Sequence, residues 1–145
     1  MNTIISQKLI IESILVGIYS CFIYLLFSPF IKNFYILLLV CGFFKHFLGS
    51  SLGLWTWYCN NGETCLKVLS QDQYYMSNTT YLLSESIYES ILFFLFGIIL
   101  TKLIKIENIY LFSMIGFIAH LISDYIGIHK YFCKHSCDII NEQNN

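Results

Sequence analysis

The sequence predicts an all-α integral membrane protein, a four-helix bundle made of two duplicated helical hairpins arranged as a parallel repeat. Three observations predict it. Of 145 residues, 57% are hydrophobic and only 12% charged, against roughly 25% charged in an average soluble domain. Four apolar stretches, at residues 9–27, 34–57, 86–103 and 109–131, approach the ~20 residues that a helix needs to cross a bilayer. The chain also repeats itself in order. Glu12-Ser13-Ile14-Leu15 returns as Glu89-Ser90-Ile91-Leu92, and Asn33-Phe34-Tyr35 as Asn108-Ile109-Tyr110. Gly42-Phe43-Phe44-Lys45-His46 returns as Gly116-Phe117-Ile118-Ala119-His120. Gly53, Cys59 and Cys65 return as Gly127, Cys133 and Cys137, while the offset drifts only from 77 (Glu12 to Glu89) to 72 (Cys65 to Cys137). Matches of Glu, His, Gly and Cys in one order carry weight that matches of Ile and Leu do not, and repeats of this kind set the architecture.

The elements follow in sequence. Residues 9–27 lack a small-residue cleavage site and read as a span, not a signal peptide. The turn at 28–33, with Ser28-Pro29, is short, so the second span returns beside the first. Residues 1–65 make the first two-span repeat, 66–80 a polar linker, 81–137 the second repeat and 138–145 a disordered polar tail. Two crossings per repeat give both copies one orientation, related by an axis along the membrane normal. Both Cys pairs, the linker and both termini then share one face. All eight basic residues are Lys, and their distribution does not decide the orientation under the positive-inside rule. Paired cysteines and the sequon Asn78-Thr79-Thr80 favour a non-cytosolic cysteine face. A net charge of -1 supplies no basic stripe for nucleic acid. The partners expected are the bilayer and a second copy or other membrane proteins.

Ionisable residues inside spans are costly and mark clamps or sites. Glu12 and Glu89 lie in the first and third spans, and His46 and His120 in the second and fourth. Glu85 and Asp124 each share a helix face, four residues away, with Glu89 and His120. As a structural clamp, Glu12 with His46 and Glu89 with His120 would fix which helix faces which. As a site, Glu89, His120 and Asp124 would form a catalytic or metal-binding set for zinc or iron, or a proton relay. The second copy carries Glu85, Asp124 and His129 where the first has Lys8, Ser50 and Trp55, so such a site would be single and centred on the second copy. Gly49, Gly53 and Gly127 allow close helix approach, and the latter two can bend a helix towards its Cys loop.

Cys59, Cys65, Cys133 and Cys137 admit three readings. Structural disulfides would close the loops Cys59–Cys65 and Cys133–Cys137, although pairing between the copies is also open. Metal binding would use His129, Cys133, His135 and Cys137, with Cys59 and Cys65 nearby. Thiol exchange is the third. Two Cys pairs on one face of a four-helix membrane bundle resemble in outline the DsbB and vitamin K epoxide reductase type of quinone-linked enzyme, though neither pair has Cys-x-x-Cys spacing. Trp55, Trp57, Tyr58, Tyr131 and Phe132 read as an interfacial aromatic belt.

The strings Lys45-His46-Phe47-Leu48-Gly49, Leu52-Gly53-Leu54 and Trp57-Tyr58-Cys59-Asn60 resemble small uncharacterised membrane proteins of large DNA viruses. That resemblance covers about one span. It implies a virion or internal-membrane protein and no activity. Three functional classes are thus expected: a structural or assembly component of a membrane or viral envelope, a membrane-embedded metal-dependent enzyme or proton-linked carrier, and a thiol-disulfide oxidoreductase.

Overall fold

The computed structural model describes residues 6–69 and 80–137, and among them every regular element is a helix. α1 (Gln7–Phe27) starts at Ser6, whose Oγ accepts from the Leu9 N–H at 3.1 Å, the usual N-cap bond. Pro29 follows its C-cap Ser28 and cannot extend a helix. α2 (Phe34–Ser51) is capped by Asn33, whose Oδ1 accepts from the Tyr35 and Ile36 N–H groups at 3.0 and 3.2 Å. α3 (Leu54–Asn61) and α4 (Glu63–Leu69) are short; α5 (Thr80–Leu103), α6 (Asn108–Tyr125) and α7 (Ile128–Ser136) follow.

α1, α2 and residues 82–103 of α5 are each long and apolar enough to cross a membrane, and α6 with α7 forms a bent fourth candidate. The 21 residues of α1 rise about 32 Å, close to the thickness of a bilayer core. The outer faces are apolar, and α1 buries mostly polar or small residues. α1 buries Glu12, Ser13, Gly17, Ser20 and Ile23, whereas Ile11, Ile18 and Phe22 are about 60% exposed. A water-soluble helix shows the opposite polarity. In lipid the outer face gains nothing from burial, and small residues inside let backbones approach.

The main packing partners lie in different hairpins: α1 packs on α6, and α2 on α5, with lesser contacts of α1 with α2 and of α5 with α6. Both main pairs are antiparallel. Tyr24 meets Phe112, Gly116 lies against Ser20 and Val16, and Glu12 faces His120. On the other seam Leu38 meets Gly97, and Gly42 lies on Ser90 and Phe93. A Cβ at Gly42 would stand 2.8 Å from Ser90 Cα and 2.9 Å from the Glu89 carbonyl oxygen. Ser13, Ser20 and Ser86 donate to carbonyls four residues back, which satisfies their hydroxyls locally and leaves them as small packing residues.

The interior has three levels. Next to the two short turns sits an apolar plug of Ile23, Leu38, Leu100, Leu111, Phe112 and neighbours. A polar layer follows. The far end is closed by a second buried cluster, in which Tyr58 packs with four half-cystines.

Two expectations change here. The apolar stretches 34–57 and 109–131 are not continuous helices. Each breaks at a glycine in the left-handed region, Gly53 at φ 77° and Gly127 at φ 85°, and α7 leaves α6 at 75°. The breaks share one pattern: the N–H groups of Leu52 and Gly53 bond back to Leu48 and Ser50, and those of Ile126 and Gly127 to Ile122 and Asp124. Gly53 and Gly127 do not serve close approach, because a Cβ at either would meet no atom within 4 Å. The dihedral is what requires glycine there. Residues 66–69 belong to α4. Residues 70–79, with Asn78 and Thr79 of the sequon, and the tail 138–145 lie outside the described residues.

Candidate functional site

The polar layer gathers Glu12 from α1, Lys45 and His46 from α2, Glu85 and Glu89 from α5, His120 and Asp124 from α6, and His129 from α7. All except Asp124 are buried. The pairs are not those expected within each hairpin. Glu89 binds Lys45, at 2.6 Å, rather than His120. His46 Nε2 lies 3.0 Å from Glu85 Oε2 rather than beside Glu12. His120 Nε2 faces Glu12 Oε2 at 3.9 Å, beyond hydrogen-bond reach. The clamp therefore runs between hairpins, because α1 packs on α6 and α2 on α5.

The α4 end closes the layer. The Glu63 N–H donates to Glu12 Oε1 at 3.0 Å, and Thr64 Oγ1 donates to Asp124 Oδ1. Asp124 Oδ1 also stands 3.7 Å from His129 Nδ1. The His129 ring packs against His120, 4.4 Å between centroids, with Tyr58 against both. Burial beside the Glu12 and Asp124 carboxylates pushes the Tyr58 phenol well above its ordinary range, so it stays neutral at physiological pH.

A cavity of about 690 Å³ opens on this layer, within the range of small-molecule pockets. Its floor includes Glu12, Lys45, His46, Glu89, His120 and His129. Its rim includes Ile18, Phe22 and Trp57, all exposed on the outer surface. Glu12 Oε2, His120 Nε2 and Trp55 Nε1 are buried without a hydrogen-bond partner. The cavity thus meets residues of both seams, and beside the ion pairs it finds unsatisfied polar atoms and apolar walls.

Glu89, His120 and Asp124 lie in the same polar layer, with Glu89 paired to Lys45. Among the described residues, the single group of three His, Cys, Asp or Glu ligand atoms mutually within 4.8 Å is Cys59, Cys65 and Cys137. The cysteines pair across the hairpins, Cys59 with Cys137 and Cys65 with Cys133. The loops Cys59–Cys65 and Cys133–Cys137 are not closed. Cys133 and Cys137 sit one turn apart on α7, with the Cys137 N–H bonded to the Cys133 carbonyl. Their side chains run parallel and reach for a partner elsewhere. His129 turns towards His120 and Asp124, away from a shared site with Cys133 and Cys137, and the His135 side chain lies outside the described residues. Cys21 and Cys41 are free.

Sequence reasoning missed Lys45 as the partner of Glu89, and Glu63 and Thr64 as closing groups. A Lys in the middle of an apolar span, flanking His46, was the available signal for the first. Nothing local marked the other two. The fold and site define a helical protein with several helices long and apolar enough to cross a membrane. Comparison of the chain with protein-family models, curated proteins and solved structures finds no match.

Proposed function

We propose that this chain is a polytopic integral membrane protein of four crossings, built by duplication of a two-span hairpin, and that it is a structural or assembly component of a membrane without an activity of its own. The sequence resemblance to membrane proteins of large DNA viruses extends the proposal to a viral envelope or internal membrane. One observation carries it: the buried ion pairs and both disulfides join one hairpin to the other. Such links fix a shape. The apolar exterior and the length of the helices support membrane insertion. The equivalent seams, α1 on α6 and α2 on α5, and the matching breaks at Gly53 and Gly127, support the duplication.

Insertion is tested by reporter tags in the turn at residues 28–33 and at the C-terminus. The expected result is opposite sides of the membrane, and a turn and terminus on one side would end the four-crossing reading. A structural role is tested by replacing Lys45 and Glu89 together with Met and Leu. Membrane assembly should persist.

The second reading, chemistry in the polar layer by a metal-dependent enzyme or proton-linked carrier, rests on the unpartnered Glu12 and His120 atoms facing the cavity. It requires that an apolar pair at Glu12 and His120 leave the fold intact and abolish a biological activity. The DsbB-like reading has less support, because all four half-cystines are at most 1% exposed and out of reach of a protein thiol.

A further inference from the structure

We infer that the four cysteines at the end of the bundle are a tetrathiolate zinc site in the reduced protein, and that the two disulfides are the oxidised form of that site. Tetrahedral zinc with Zn–S bonds of about 2.3 Å sets its sulfurs about 3.8 Å apart. Cys137 Sγ and Cys65 Sγ, which belong to different disulfides, already stand 3.6 Å apart. Cys59, Cys65 and Cys137 hold their sulfurs mutually within 4.8 Å; Cys133 stands outside that group, bonded to Cys65, and joins it once that bond is reduced. All four are buried in one cluster.

The local backbone suits ligation. Cys133 and Cys137, one helical turn apart, present parallel side chains that cannot bond each other well but can hold one ion. Cys59 lies near the end of α3 and Cys65 in α4, with Gly62 between the two helices bonded back to Tyr58 at 2.6 Å. That turn brings the second pair of sulfurs to the same place. The four sulfurs complete the set without a histidine: the His129 ring packs on His120 and Tyr58, and its Nδ1 faces Asp124 at 3.7 Å.

The chemistry balances. Binding Zn²⁺ releases four thiol protons and leaves a dianionic complex. Oxidation by a small-molecule disulfide takes four electrons from the four sulfurs and forms two S–S bonds. Two oxidant disulfides become four thiols, which take up four protons, and Zn²⁺ leaves. Either form ties α3 and α4 to α7, so the same fold is cross-linked in a reducing or an oxidising compartment.

The full chain is purified in detergent with a phosphine reductant and zinc present throughout, then freed of unbound metal. Elemental analysis should find a single zinc per chain, and Co²⁺ exchange should give the absorption of a tetrahedral thiolate site. Adding a small disulfide oxidant should release the zinc in step with the loss of all four thiols, with helicity unchanged by circular dichroism. His129→Ala should keep the zinc, and Cys137→Ser should weaken it at least tenfold. A reduced, helical protein holding no more zinc than a variant with all four cysteines changed to Ser would overturn the assignment. So would loss of zinc in His129→Ala.

Discussion

The two inter-hairpin seams repeat one design and finish it differently. Where α2 meets α5, Lys45 and Glu89 form a 2.6 Å ion pair, His46 and Glu85 a 3.0 Å contact, and Ser90 Oγ donates to the Leu39 carbonyl at 2.7 Å. Where α1 meets α6, the equivalent Glu12 and His120 stand 3.9 Å apart, and a cavity lies beside them. Ala119 occupies the place of Lys45 in the second copy, so Glu12 has no lysine to receive it. Residues of both seams line that cavity; one seam is tied by short ion pairs, and the other, more open one is not. Two seams of similar layout thus differ in how they are held: Lys45 and Glu89 tie one directly, and the Glu12–His120 contact of the other is longer.

The largest test of this contrast is Lys45→Met. It strands Glu89 in a buried site and should cost about 3–5 kcal/mol, whereas Lys45→Met with Glu89→Leu should recover most of the loss. Equilibrium unfolding in mixed detergent micelles reads both. If the double variant is as weak as the single, the seam is not an ion-pair clamp. Next comes Cys65→Ser, which removes a cross-link between residues 68 apart in sequence and should cost about 2–4 kcal/mol in the oxidised protein, seen as a lower unfolding midpoint. An unchanged midpoint would mean that the α4–α7 end is held by other contacts. Gly53→Ala and Gly127→Ala should each cost about 1–2 kcal/mol, because alanine resists the left-handed dihedral although space for its methyl is free. Thermal melts should show the two equally sensitive. The smallest effect belongs to Glu12→Gln. Its Oε1 keeps the Glu63 N–H bond and its Oε2 gives up no close partner, so the loss should stay below about 1 kcal/mol. A larger drop would show that the open seam bears load after all.

Much of this arrangement was legible in the sequence, and the gaps have physical causes. Composition and span length marked the apolar helices, and the ordered Glu, His and Cys matches marked which side chains turn inward. Partner choice was not legible. Glu12 and Glu89 are equivalent in sequence, so pairing within a hairpin and pairing across hairpins read alike until α1 is seen on α6. For the same reason Cys59 was open to Cys65 or Cys137. Sequence alone puts the ends of α2 and α6 several residues too far, because apolar residues continue past Gly53 and Gly127 while the dihedral at each glycine turns the chain. Lys45 was visible only as an isolated charge, and its significance came from α5 crossing at Gly42.

The order of the cross-links along the chain has a further consequence. Cys65–Cys133 is nested inside Cys59–Cys137, like one bracket within another. In the oxidised protein, cleavage of any one peptide bond between residues 65 and 133 turns the polymer into two strands that remain a single molecule. The stretch joining the hairpins is then relieved of keeping them together, and a processing enzyme that nicked it would yield a two-chain particle with its shape intact.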